Sequence, residues 1–453
     1  MGNWLFRMNP KSCAWLCLAG TTLVLGRVAS LAQSAPSDLA AAIPDAPTPT
    51  AKIRAFPLPD RLLDKPSLPP AFTLSVEPLS FSAPGPLYLG QRNSLVSLDF
   101  LDENRLLFTF RVPGLIRREP GPDNPGDERQ IRAVVLSLPS GRVESEALWT
   151  VHDRARYLWM LKDGHFLLRD RDNLELGDAS LERKPFLRFP GPLVWLEMDP
   201  ADDFLVADSR EPASSPSKPG QVPSPGTATA EIRVDGQKPG GQPDMVVRIL
   251  RRATGQVMLV SRVRASVHLP INADGYLESL RANGQQWMVN LNYFSGGSTV
   301  LGRVESACSP LFDFLSQSEV LVTGCSSSGA AKLVAITTDG RRLWEARASD
   351  TALWPLVVRS PDGSRMAREA LAVSRAVSAR SPLDRDNIKG QLVEVLDAAD
   401  GHLALETAAS PPLDAGGNVA FSPSGNRVAV LNAGAIQVFE LPPPPQLPAP
   451  PSK

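Results

Sequence analysis

The sequence predicts an all-β chain built from a repeated antiparallel unit of four strands. Composition points there first: 33 glycines and 44 prolines among 453 residues, without a collagen period and with only 6% aromatics, favour short strands and tight turns over helical bundles. The second observation is a recurring pattern, an apolar strand, a turn of Asp, Gly, Asn, Ser or Pro, and a second apolar strand, which is how a β-hairpin reads in sequence. The third is the spacing of those hairpins, developed below.

Taken in order, residues 1–32 read as an export signal. Arg7 and Lys11 precede the apolar run Cys13 to Leu25, and Ser30-Leu31-Ala32 fits the small-x-small rule for cleavage after Ala32. The run is shorter than the roughly 20 residues of a membrane span, so no stable span is expected after cleavage. Removing Arg7, Lys11 and Arg27 takes no acid with them and moves the formal charge from −1 to −4. Residues 33–70 carry nine prolines from Pro36 to Pro70 and are expected to be a disordered, extended tether, and a second Pro-rich stretch closes the chain at 442–453.

Between these Pro-rich extended termini, residues 71–441 hold seven copies of the hairpin. The clearest is Val419 to Val430, around Phe421-Ser422-Pro423-Ser424-Gly425. Others centre on Asp99 to Phe108, Trp159 to Leu167 and Glu197 to Val206, and weaker copies start near Leu269, Asp313 and Val358. The residues just before each turn are Phe100, Met160, Met198, Ile271, Phe314, Arg359 and Phe421, spaced by 60, 38, 73, 43, 45 and 62. The three long spacings coincide with polar or Pro/Gly inserts at 112–130, 208–243 and about 366–389. A further strand and a Gly turn follow the hairpins, as in Val334 to Gly340 and Val393 to Gly401. An underlying period of about 40 to 45 residues with four strands per unit is the signature of a β-propeller blade.

On these residues the chain resembles a seven-bladed β-propeller of four-stranded antiparallel blades. Phe421 to Gly425 with Ile436 to Glu440 looks like a divergent WD-repeat-like blade, and Thr338-Asp339-Gly340-Arg341-Arg342-Leu343-Trp344 is similar to the turn of quinoprotein-type blades. The likeness covers about 71–441 and is to the architecture. The last copy has three strands, and residues 71–81 form a strand-like segment with no blade of their own, so they are expected to close the ring as the fourth.

Propeller geometry sorts the loops. All three inserts fall between second and third strands and so decorate one rim, called the top here, which is where a binding surface is expected. The same face should carry Arg117, Arg118, Arg129, Asp153, Arg154, Arg156, Arg169, Asp170, Arg171, Asp172, Arg264 and Arg281. Arginine forks suit carboxylate or sulfate groups. Cys308 and Cys325 would meet at the top ends of neighbouring strands, and an even pair in an exported chain reads as a disulfide.

The near-zero charge argues against nucleic acid. The motifs of serine hydrolases, zinc proteases, phosphate loops and dinucleotide folds are absent, so no cofactor is expected. The expectation is an exported, non-catalytic binding or scaffolding module that presents an Arg-rich top face (Arg117, Arg118, Arg154, Arg156, Arg169, Arg171) to a protein, peptide or anionic glycan. The alternative is a metal- or quinone-dependent enzyme in the central channel, for which His152 and His268 would have to converge.

Overall fold

The computed structural model describes residues 55–57, 68–84, 95–112, 117–118, 127–152, 156–211, 228–229, 245–264, 267–325, 331–347, 352–374, 388–413 and 416–444. The expected signal at 1–32, most of the tether at 33–70 and the tail beyond 444 lie outside them.

Blade one pairs Ser97–Asp102, Arg105–Arg111, Asp127–Ser137 and Val143–Val151 in that order, all antiparallel. First strands of neighbouring blades touch one another, so they line the centre and fourth strands face outward. Burial follows from that placement. The second strand, Arg105–Arg111, packs on both flanking blades and is apolar along its middle, whereas the outermost Val143–Val151 alternates and leaves Leu148 62% exposed.

Blade two comprises Leu158–Met160, Phe166–Asp170, Asn173–Gly177 and Arg183–Arg188; blade three comprises Leu193–Met198, Phe204–Arg210, Met245–Arg251 and Gln256–Val263. Blade five comprises Leu311–Phe314, Glu319–Cys325, Ala331–Thr337 and Arg342–Arg347; blade six comprises Ala352–Arg359, Arg365–Val373, Ile388–Asp397 and Leu403–Ala409. Blade seven takes Val419–Phe421, Arg427–Asn432 and Ala435–Glu440 from the end of the chain. Its fourth strand is Phe72–Ser75, antiparallel to Ala435–Glu440 with Phe72 opposite Val438.

Blade four departs from the pattern. Gly275–Asn283, Gln286–Tyr293 and Ser298–Glu305 form a three-stranded sheet, and the expected first strand near Leu269 is reduced to one bridge, Ile271 to Tyr276. Pro270 has no N–H to give to a ladder, which limits pairing there. The inserts also differ in extent: 127–130 and 365–373 belong to strands, so the connections run from Arg111 to Asp127, Arg210 to Met245 and Val373 to Ile388. All three join second to third strands and leave from one rim.

Two segments outside the blades add parallel strands to outer edges. Ala228–Thr229 lies along Gln256–Val263, and Ala55–Pro57 lies along Arg342–Arg347. The second belongs to the Pro-rich stretch expected to be an extended tether. An outer edge tolerates proline because only one side of the added strand is bonded.

The core consists of seven apolar clusters, one at each junction between successive blades. Between blades one and two, Trp149 and Phe166 stack with ring centroids 5.4 Å apart. Between blades five and six, the buried Trp344 donates to Ala398 O at 2.7 Å. Each such fully buried side chain contributes about 1.5 to 3 kcal/mol. Cys308 and Cys325 are bonded, with Cα atoms 5.5 Å apart. At the blade seven to blade one junction Glu103 pairs with Arg427 at 2.9 Å, and Gly417, at φ 101°, passes so close that a Cβ would sit 2.1 Å from Val96 O.

Candidate binding channel

A first strand has a neighbour on one side only, so its inner edge presents unpaired carbonyls to the channel, and these need donors. Cations supply them. Arg169 donates to Val194 O at 3.0 Å, Arg156 Nε to Leu158 O at 3.0 Å, and His268 Nε2 meets Phe312 O at 2.6 Å. Arg359, the last residue of the first strand of blade six, reaches Phe314 O at 3.2 Å in blade five and, on the far side of the ring in blade three, Met198 O at 3.3 Å and Asp199 O at 2.8 Å.

Arg359 therefore crosses the channel at its lower end. Gln317, in the turn of blade five, donates to Asp199 Oδ2 at 2.7 Å and accepts from Ala273 N at 2.8 Å. Asn272 Nδ2 in blade four donates to Gln317 O at 2.9 Å. These contacts join the turns of blades three, four and five, with Arg359 tying in blade six, across the floor.

Above the floor stand Glu197, His268, Trp195 and Asp313. Glu197 holds His268 Nδ1 at 2.9 Å, and Trp195 sets its ring edge-on to the imidazole at 6.1 Å and donates to Glu197 at 3.4 Å. Burial opposes charge on His268, but the Glu197 carboxylate outweighs it and the imidazole is pushed up to about 10, so both ring nitrogens carry protons at neutral pH. Burial raises Asp313 despite the nearby His268 and Arg359. Asp99 on blade one, bonded to Ser97 Oγ at 2.6 Å, is likewise raised by burial, and Arg156 is lowered by it. Arg156 is exposed by surface area, and its charged neighbours are Asp99, Arg359 and Glu197.

Of the top-face arginines, Arg156 and Arg169 both lie over the Trp159 ring, 5.3 and 5.7 Å from its centre. Arg154 and Asp153 lie outside those residues, and for Arg117 and Arg118 only the short strand pairing with Glu128 and Asp127 is described. Arg169 is buried and turned inward. Arg171 occupies a left-handed turn at φ 55° with Asp172, whose carboxylate holds Arg188 at 3.0 Å.

The two histidines have separate partners. His152 sits between blades one and two, 2.9 Å from Asp170 and 3.8 Å from Glu128, whereas His268 is in the channel. Among the described residues no group of three or more His, Cys, Asp or Glu is arranged to hold a metal ion, and no helix is long and apolar enough to cross a membrane.

The channel residues Asp99, Trp195, Glu197, Asp313 and Arg359 were not singled out as site residues from the sequence. A signal existed. Of the seven residues that precede the hairpin turns, Arg359 alone is charged, and Asp99, Glu197 and Asp313 each stand one residue before that position in copies one, three and five.

No protein-family model matches the chain, and no curated protein matches it. Among solved structures it is similar to the WD40 domain of Toxoplasma gondii coronin, at 10% identity over 85% of this chain and 87% of that one, with a TM-score of 0.44. Acylaminoacyl peptidase from Pyrococcus horikoshii aligns at 10% identity over 75% of this chain, which spans about half (49%) of that protein, with a TM-score of 0.42. Hydrazine synthase from Kuenenia stuttgartiensis aligns at 10% identity over 77% of this chain and 96% of that one, with a TM-score of 0.39. Likenesses this distant carry no function with them.

Proposed function

We propose that the protein is an exported, non-catalytic binding module that takes a protruding group of a protein or peptide into the upper mouth of its channel. The observation that carries this is Arg359, which bonds Phe314 O in blade five and Met198 O and Asp199 O in blade three and so spans the channel at its lower end. A ring whose channel is lined by polar groups and the Trp195 indole, and is spanned at one end by Arg359, suits recognition of an inserted group. An anionic glycan laid across the top arginines has less support, because Arg169 and Arg156 are turned onto backbone carbonyls.

The binding test is fluorescence anisotropy of a labelled, positionally randomised tripeptide library titrated with the full chain. Binding is expected, and it should vanish in Ser97→Trp, whose indole fills the mouth beside Asp99. A library that ignores the protein, or that binds the variant equally well, refutes the reading. Export rests on residues 1–32 and on the Cys308 to Cys325 bridge, which suits an oxidising compartment. N-terminal sequencing of exported protein should begin at Gln33, and material that retains residues 1–32 would refute cleavage there.

A further inference from the structure

Glu369 belongs to the second strand of blade six, opposite Leu356 of the first strand and Val393 of the third. Val393 packs in the apolar cluster shared with blade seven, so the Glu369 side chain enters the junction between those two blades. It is 1% exposed there. Oε2 accepts from Gln391 Nε2 at 2.9 Å, and among the described residues Oε1 has no hydrogen-bond partner.

The amides beside it are already committed. Gln391 Oε1 accepts from Leu413 N at 2.9 Å and from Asn418 Nδ2 at 2.8 Å. Asn418 Oδ1 receives only a long contact of 3.4 Å from Gln391 Nε2, and Pro411 O one of 3.4 Å from Asn418 Nδ2. A buried network thus holds a carboxylate, an amide and a backbone carbonyl oxygen with acceptor capacity left over. Gly416 passes alongside at φ 71°, and a Cβ there would sit 3.6 Å from Glu369 Oε1 and 3.3 Å from Leu356 Cδ1. Oε1 therefore points at the space that this glycine leaves.

The charge of Glu369 is unmatched as well. Arg365 pairs with Asp397 at 3.1 Å and Arg368 with Glu394 at 2.7 Å, and Arg368, Glu394 and Glu406 lie on the opposite face of the sheet. Burial alone acts on the Glu369 carboxyl and pushes it up to about 8, with no cation to bring it down. An ionised Oε1 lacks a donor, and a proton on Oε1 would lack an acceptor. A water molecule supplies a donor but no charge. A hard cation supplies charge and takes oxygen ligands, and a single positive charge balances the one carboxylate.

We infer that the junction of blades six and seven binds a monovalent metal cation, sodium or potassium, against Glu369 Oε1, with Asn418 Oδ1 and Pro411 O as neutral oxygens. The inference is independent of the binding reading above.

Thermal unfolding of the full chain at pH 8 tests it in the chlorides of sodium, potassium, calcium and choline at matched ionic strength. Sodium or potassium should raise the midpoint by about 3 °C or more over choline, which is too bulky for a buried site. The larger of those two shifts names the ion, and a calcium shift above both would overturn the monovalent assignment. Glu369→Gln keeps the shape of the side chain and should abolish the alkali shift. In choline that variant should be the more stable chain, and sodium or potassium should close the gap. Should the variant fail to fold, an anomalous-scattering peak beside Glu369 Oε1 in parent crystals soaked in thallous acetate decides instead, and its absence overturns the site. Equal midpoints in sodium, potassium and choline overturn it and leave water at Oε1. An alkali shift that persists in Glu369→Gln puts the ion elsewhere and overturns it too.

Discussion

Replacing Arg359 by methionine keeps the apolar stem of the side chain and removes the guanidinium that spans the channel. Three charge-assisted hydrogen bonds to Phe314 O, Met198 O and Asp199 O are lost. At about 1.5 to 3 kcal/mol each in a dry site, and about half of that or less because channel water can replace part of them, the expected loss is about 3 kcal/mol. With about 2 cal/mol/K of unfolding entropy per residue, that lowers the midpoint of a ring of this size by about 4 °C. The loss also depends on pH. Arg359 lowers the carboxyls of Asp202 and Asp313, which burial already holds above their ordinary value. Without the guanidinium they rise further, so the folded variant clings to protons that the unfolded chain gives up, and its stability falls as pH climbs past the ordinary carboxylate range. Calorimetric unfolding at pH 5 and pH 8 should show the larger deficit at pH 8, and Arg359→Lys should restore the charge-dependent part without the full hydrogen-bonded part. An equal deficit at both pH values, or none at either, would refute the idea that Arg359 serves both as hydrogen-bond donor and as counter-ion.

Glu369 is 1% exposed with one oxygen unpaired, and burial pushes its carboxyl up to about 8. Its folded value lies above its unfolded one, so its penalty is absent at low pH and grows until pH passes about 8; urea midpoints of Glu369→Gln should exceed those of the parent by a margin that widens from pH 5 to pH 8. Reducing the Cys308 to Cys325 bridge, which spans a separation of 17 residues, should cost about 3 kcal/mol in denaturant unfolding, and a Cys308→Ser, Cys325→Ser variant should be indifferent to reductant. Gly417→Ala, forced against Val96 O, should lose about 3 kcal/mol or more, whereas Gly434→Ala, with φ 78° and open space around it, should lose only about 1 kcal/mol; equal costs would remove the steric explanation.

The blades were legible because hairpin turns are local chemistry. Ser422-Pro423-Ser424-Gly425 and Thr338-Asp339-Gly340 announce themselves within a few residues, and the spacing between copies supplies the rest. The first strand of blade four, weak in sequence around Pro270, is also short in the fold, held by the Ile271 to Tyr276 bridge and the bond from Leu277 N to Pro270 O. The crossing of the channel was hidden for a different reason. Arg359, Asp199 and Gln317 meet from three blades, and no spacing along the chain encodes a distance across a ring. The top-face arginines show the converse: loop position could be read, but not that Arg169 would spend itself on Val194 O. Register was the neglected intermediate, since superposing the seven copies already lines up Asp99, Glu197 and Asp313.

The pairing of Phe72–Ser75 with Ala435–Glu440 has a consequence in time. A ribosome makes the first of these strands more than 350 residues before the second, at roughly 5 to 20 residues per second. Six blades can condense in order of synthesis, but the seventh waits for the last strand to emerge, and until then blade one lacks the neighbour that buries Leu98 and Phe108. The ring cannot be shut early. Synthesis of Ala435–Glu440 is thus the event that commits the ring to the native state, and a nascent chain stalled short of Ala435 would be left with an open seam of apolar surface for chaperones to hold.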